Sequence, residues 1–149
     1  MRIHIATDHA GFEEKNALVE FLREQGHDVT DHGAHHFDAD DDYPAFCIDC
    51  AKAVAADPSA LGIVIGGSGN GEQISANKVP GVRAALVWNH EIARLARQHN
   101  DANIISLGAR QHSQAELEEF VTAFLEEPFS KAERHQRRID QISAYENAR

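Results

Sequence analysis

The chain has 149 residues, enough for one domain with a full apolar core and no need of disulfide or metal staples, so a single domain over 1–149 is expected. Its formal charge of -10 argues against nucleic acid or an anionic membrane as the main partner, because both reward an excess of Lys and Arg. No run reaches the roughly 18 to 20 apolar residues of a spanning helix, and Arg2-Ile3-His4-Ile5 follows the first residue without a signal-peptide pattern, so a soluble cytoplasmic protein is expected.

The first strand is expected over Arg2 to Thr7, stopping at Asp8-His9-Ala10-Gly11; Ala17, Leu18, Phe21 and Leu22 then mark a helix ending near Gly26. A short second strand spans His27 to His32. An acidic loop from Gly33 to Asp42 leads to a helix from Tyr43-Pro44 to about Ala56, closed by Asp57-Pro58. The third strand is the β-branched run Leu61-Gly62-Ile63-Val64-Ile65, which passes through four glycines in the six residues 66–71 into a short helix that ends before Pro80. Val82 to Val87 reads as a fourth strand, Ile92, Leu95, Ala96 and His99 as the stripe of a fourth helix, and Asn103 to Leu107 as a fifth strand. Ser113-Gln114-Ala115-Glu116 is a capping box ahead of the Leu117, Phe120, Val121, Phe124 stripe, and Ser130-Lys131-Ala132-Glu133 repeats the signature for a last helix running to about Tyr145.

Five strands alternating with helices pair in parallel through crossovers. The expected fold is therefore α/β: a three-layer α/β/α sandwich on a five-stranded parallel sheet of flavodoxin-like, Rossmann-like order 2-1-3-4-5, with an extra C-terminal helix. Ligands of such sheets bind outside the carboxyl ends where the order switches, here between strands one and three. Asp8-His9 and Gly67 to Glu72 should converge there.

The glycine loop turns backbone N–H groups toward one point at the start of a helix, a place that attracts an oxyanion. Glu72, the first residue past it, sets a carboxylate base beside that anion hole. Asp8 suits a helix cap as well as a site, and His99-Asn100 suits a helix end as well as proton transfer. On the last helix Lys131, Arg134, His135 and Arg138 recur on one face, and Arg134 and Arg138 one turn apart suit a single phosphate group, with Arg110 able to join them. Surface pairing, or contact with the acidic loop of another subunit, are the other readings of that stripe.

Other chemistries fit less well. Cys47 and Cys50 have C-x-x-C spacing but lie on the core stripe Tyr43, Cys47, Cys50, Ala51, Val54, with no second pair to complete a zinc site, and are read as buried thiols. Among ten histidines no H-x-x-x-H or H-x-H pair lies on one element; the loop holding His35, His36 and Asp38 to Asp42 lacks the alternation and glycine of an EF-hand and is read as a solvated, mobile acidic segment. Ser68 lacks a G-x-S-x-G frame, and no G-x-x-x-x-G-K-[ST] pattern is present. No cofactor and no metal are expected. Proton abstraction beside a carbonyl, with backbone N–H groups holding the enediolate, suits the inventory.

Asp8-His9-Ala10-Gly11, Gly66-Gly67-Ser68-Gly69-Asn70-Gly71-Glu72, Ala76-Asn77-Lys78-Val79-Pro80-Gly81-Val82-Arg83, His99-Asn100 and Arg134-His135-Gln136-Arg137-Arg138 together resemble the type B ribose-5-phosphate isomerases, over essentially the whole chain. The resemblance implies metal-free interconversion of ribose 5-phosphate and ribulose 5-phosphate in the pentose phosphate pathway. It implies Glu72 as proton-transferring base; Gly67, Ser68, Gly69, Asn70 and Gly71 as the anion hole; and His99 as the group assisting ring opening. Asp8, His9 and Asn100 would contact sugar hydroxyls, and Arg110, Arg134 and Arg138 the phosphate. It also implies a homodimer with sites at the subunit interface. Many members carry a cysteine base where this chain has Ser68, and the sequence resembles instead the actinobacterial subgroup with a glutamate base. The alternatives are isomerisation of a six-carbon aldose phosphate, such as allose or galactose 6-phosphate, and a non-catalytic sugar-phosphate binding module.

Overall fold

Alternation along the strands sets two cores. In β1 (Arg2–Thr7), β3 (Leu61–Gly66) and β5 (Ile104–Gly108), the side chains of Ile3, Ile5, Ile63, Ile65, Ile105 and Leu107 face one side of the sheet. There they pack under α1 (Phe12–Glu24), α4 (His90–Asn100) and α5 (Gln114–Glu126). Ala6, Val64 and Ile104 face the other side, against α2 (Tyr43–Ala55) and α3 (Asn70–Ala76). Each fully buried Ile or Leu contributes about 1.5–3 kcal/mol, which the two-sided burial of β3 and β5 collects on both faces. This computed structural model describes residues 1–148, with β2 (Asp28–Asp31), β4 (Ala84–Leu86) and α6 (Glu133–Asn147) completing the three layers.

All strand pairs are parallel, and the order is β2-β1-β3-β5-β4. The expected order 2-1-3-4-5 is thus corrected in its last two places. The reason lies in the strands themselves. Ile104-Ile105-Ser106-Leu107-Gly108 is buried throughout and takes the inner place beside β3, whereas β4 shrinks to three residues, two of them half-exposed, and takes the edge. Val82 is buried before β4 begins, and Arg83 is drawn out of the strand: its guanidinium donates to the carbonyls of Asn100 (2.9 Å) and Asp101 (2.9 Å), and its backbone N–H to Asn103 (2.8 Å).

The capping box of α5 forms, with Glu116 N–H donating to Ser113 Oγ (3.2 Å) and Ser113 N–H to the Glu116 carboxylate (2.9 Å). The second one does not: Ser130 Oγ takes the N–H of Ala132 (3.2 Å) in a local turn, Lys131 has a left-handed φ of 61°, and α6 starts at Glu133. Cys47 and Cys50 are buried in the core, where burial pushes the Cys50 thiol up to about 12 and Cys47 in the same direction, so neither is a thiolate at neutral pH. Among the described residues no helix is long and apolar enough to cross a membrane.

Two imidazoles meet between β1 and the end of β2: His4 Nδ1 and His32 Nε2 are 2.8 Å apart, a hydrogen bond that one ring donates and the other accepts. Burial holds both below 6.5, against the raising charges of Asp57 and Asp28 on His4 and of Asp49 and Asp31 on His32; Arg2 and His35 add to the lowering. With the folded pKa below the unfolded one, the unfolded chain binds more protons as pH falls through 6.5, so stability present above that pH is lost on acidification. Thermal unfolding followed by circular dichroism is expected to show Tm falling between about pH 7.5 and 5.5, with a shallower slope in a His32→Gln variant.

Candidate active site

The carboxyl ends of β1 and β3 are tied together by a buried hydroxyl: Thr7 Oγ1 donates to the carbonyl of Ile65 (2.9 Å). Immediately past that tie the two chains diverge, and a cleft of about 440 Å³ opens between them. Asp8, His9, Ala10, Asp41, Asp42, Tyr43, Gly67, Ser68, Gly71, Glu72 and Arg110 line it. The sheet's switch point therefore brings the two expected clusters together. Asp8 Oδ1 caps the short 3₁₀ turn at His9–Gly11 by accepting from Ala10 N–H (2.9 Å), and its carboxylate borders the cleft.

Glu72 sits in the first turn of α3 and is only 4% exposed. Its carboxyl group lies where a side chain on Gly66 would have to be, so the last residue of β3 has to be glycine for the acid to fold back over the strand end. Burial raises the Glu72 pKa above the ordinary 4.5 and the Asp8 charge adds to this, while the N–H groups of Glu72 and Gly69 oppose it. The helix start and desolvation thus pull in opposite directions, and desolvation wins. A carboxylate so held is a stronger base than one in water.

The loop ahead of Glu72 is fixed from beneath. Gly69 takes φ of 89°, a left-handed conformation that side-chain-bearing residues rarely adopt, and its carbonyl accepts from the buried Ser106 hydroxyl (2.7 Å). Ser106 points to this face because it alternates with Ile105 and Leu107 on the central strand. Ser68 is exposed at the mouth and accepts from Asn70 N–H (3.2 Å). Gly69 and Asn70 shape the loop without lining the cleft. Arg110 follows β5, donating its N–H to the carbonyl of Gly67 (3.1 Å), and its exposed guanidinium lies beside that glycine.

Four expected residues are elsewhere. α4 leaves the carboxyl end of β4 and delivers the chain to the start of β5, so His99 and Asn100 lie at the opposite, amino-terminal end of the sheet. There α6 packs on α4, and His135 stacks on His99 with ring centroids 4.3 Å apart and planes 17° from parallel. His135 is buried beside Ile139, so the basic stripe is corrected: its imidazole turns inward, Lys131 precedes the helix, and Arg134 and Arg138 remain exposed. Burial, with the charges of His99, Arg134 and Arg138, holds the His135 pKa below 6.5 and keeps that ring neutral against its neighbour.

Two residues at the cleft are unexpected. Tyr43, read as part of the core stripe, is half-buried at the start of α2 and packs its ring against Gly71. Asp41, read as one of several solvated acids, is docked: its Oδ1 accepts from both the backbone N–H (3.0 Å) and Nδ1 (2.7 Å) of His9. Nothing in the acidic run singles out Asp41, because the contact spans a long loop. Among the described residues Asp8, His9 and Asp41 are the one trio whose ligand-type atoms all lie within 4.8 Å of one another. The His9 and Asp41 atoms are spaced as a hydrogen-bonded pair, with Nδ1 already engaged as donor, and we read the trio as that pair beside Asp8.

A desolvated carboxylate beside a braced loop at the switch point of an α/β sheet is an arrangement suited to proton-transfer chemistry on a small polar ligand. The sequence and fold comparisons are specific about which. A family model described as Ribose/Galactose Isomerase matches residues 3–142. Ribose-5-phosphate isomerase B of Mycobacterium tuberculosis (strain ATCC 25618 / H37Rv) is 56% identical over 146 residues, 98% of this chain and 90% of that one. The structure of ribose-5-phosphate isomerase B from Mycoplasma genitalium with bound ribulose-5-phosphate matches with TM-score 0.95 at 44% identity, covering 98% of this chain and 96% of the other. The type B enzyme of Trypanosoma cruzi matches with TM-score 0.94 at 39% identity over 100% of both chains. This chain belongs to the ribose/galactose isomerase family.

Proposed function

We propose that the protein interconverts D-ribose 5-phosphate and D-ribulose 5-phosphate through an enediolate, as an aldose-ketose isomerase of the pentose phosphate pathway, with Glu72 as the base. The observation that carries this is the burial of Glu72 directly behind the glycine loop. With the sugar's carbonyl oxygen held by the N–H groups between Gly67 and Gly71, and Ser68 at the mouth, Glu72 takes the proton from C2. The electrons of that C–H bond form the C1–C2 double bond and the carbonyl oxygen becomes the oxyanion. Glu72 then returns the proton to C1 while the C2 hydroxyl passes its own proton to the O1 oxyanion, which leaves a ketone at C2 and a hydroxyl at C1. Asp8 and His9 contact sugar hydroxyls.

The phosphate end needs more than this cleft offers. Within one chain it presents Asp8, Asp41, Asp42 and Glu72 against Arg110 and His9, a poor setting for a group bearing about two negative charges. We infer a homodimer in which the partner subunit brings Arg134 and Arg138 to the phosphate, His99 to the ring oxygen and Asn100 to a hydroxyl. Two features support this reading. These four residues lie far from Glu72 within the chain, and Asn100 borders an apolar groove of about 550 Å³ along the β4 edge, where Trp88 and Ile142 are 56% and 53% exposed. Exposed Trp and Ile at an open groove suit burial against a second copy.

The test is proton NMR of ribose 5-phosphate with the wild-type protein in D₂O containing EDTA. Appearance of ribulose 5-phosphate carrying deuterium at C1 supports an enediolate route with solvent exchange at the base. No conversion by folded dimeric protein would refute the assignment.

A further inference from the structure

The loop between β2 and α2 reaches the cleft by design of its anchors. Lys15 of α1 is buried, and its ammonium donates to Asp31 (2.7 Å) and to the carbonyl of Ala34 (2.9 Å) at the loop's start. Thr7, the last residue of β1, donates its N–H to the carbonyl of Gly33 (2.8 Å) and accepts from Ala34 N–H (2.7 Å). Farther on, Asp41 N–H donates to the carbonyl of Asp38 (3.1 Å) in a turn, and the Asp41 side chain points inward. Asp38 and Asp40 stay exposed, whereas the Asp41 side chain is 11% exposed and meets His9. Loop acids ordinarily stay in water.

We propose that Asp41 is a positioning residue for the isomerisation, clamping the backbone and ring of His9 so that its Nε2–H is presented to an oxygen of the bound sugar phosphate. This rests on the isomerase reading above. A carboxylate has no proton to give, so the 2.7 Å contact fixes the proton on Nδ1, and the second bond to the same oxygen, from the His9 backbone, fixes the ring's origin as well as its tilt. For Nε2 to donate as well, the ring has to be the cation. The groups facing it favour that: the bond to Asp41 raises the His9 pKa most, the charges of Asp8 (3.9 Å away) and Asp41 add, and burial and Arg110 oppose. A cation held by a single carboxylate is the form suited to an anionic or hydroxyl-rich ligand, and free rotation of the ring would forfeit that orientation.

The experiment compares wild type, Asp41→Asn and Asp41→Ala, each matched for Tm. In substrate-free protein, ¹H–¹⁵N NMR of the imidazole rings reads the His9 titration; kcat and KM for ribose 5-phosphate are then measured across pH. Asn keeps an oxygen acceptor but removes the charge. The expected result is a His9 pKa lower in Asp41→Asn than in wild type, with the basic limb of kcat/KM moving down by the same interval. Asp41→Ala is expected to raise KM about tenfold or more while kcat changes less. Unshifted His9 titration in Asp41→Asn, or wild-type KM and pH profile in Asp41→Ala, would overturn the proposal. Absence of turnover by the wild type together with a shifted His9 titration overturns the isomerase reading and leaves the Asp41–His9 clamp standing.

Discussion

Replacing Glu72 by glutamine is expected to lower kcat for ribose 5-phosphate by about 10³-fold or more, with KM little changed, because the amide fills the same space and cannot accept the C2 proton. The same variant is expected to unfold at a higher temperature at neutral pH. Burial raises the Glu72 pKa above 4.5, so the folded state holds the ionised carboxylate less readily than the unfolded chain does. At pH values above the folded pKa the ionised group therefore costs stability, and a neutral isostere removes that cost. Calorimetry beside steady-state kinetics checks both halves. A variant that lost activity by misfolding would lower Tm instead. For the wild type, the same shift places the acid limb of kcat/KM above pH 4.5.

The second large effect concerns pairing of chains. Glu72→Gln and the double variant Arg134→Ala/Arg138→Ala are each expected to be nearly inactive alone. Refolded together, they are expected to recover roughly a quarter of wild-type activity, because about half of the pairs are mixed and each mixed pair contains one site with all its residues intact. Differently tagged chains, purified as the mixed species and assayed, give the measurement, with about half of wild-type activity expected of that species. No recovery in a verified mixed dimer would place Arg134 and Arg138 in the same site as the Glu72 of their own chain.

Much of this was readable from local pattern. Strand alternation at Ile3, Ile5, Ile63 and Ile65, the Ser113 capping box and the glycine loop all depend on neighbours in sequence, and each forms as expected. The swap of β4 and β5 escaped that reading because both segments carry apolar residues. Which takes the inner place is decided by how completely each can be buried, a property of the packed molecule. The Ser130 box failed because a serine three residues before a glutamate can close a turn of its own. Asp41 was hidden for a different reason: its docking depends on Lys15, Asp31 and Thr7, residues on three other parts of the chain. His99, Asn100, Arg134 and Arg138 stand out in the sequence by side-chain type, while their separation from Glu72 becomes visible only once α4 is seen to run to the far end of the sheet.

The hydroxyl of Ser106 under the Gly69 carbonyl has a consequence for how this chain tolerates change. The floor of the glycine loop belongs to a central strand, and that strand's own neighbours are β3 and β4, so its side-chain pattern answers to two demands at once. Replacing Ser106 by an isosteric apolar residue leaves the packing of Ile105 and Leu107 in place but strips the carbonyl of a buried partner. Drift in the sequence of this strand is therefore curtailed by the cleft above it, even though none of its residues lines that cleft.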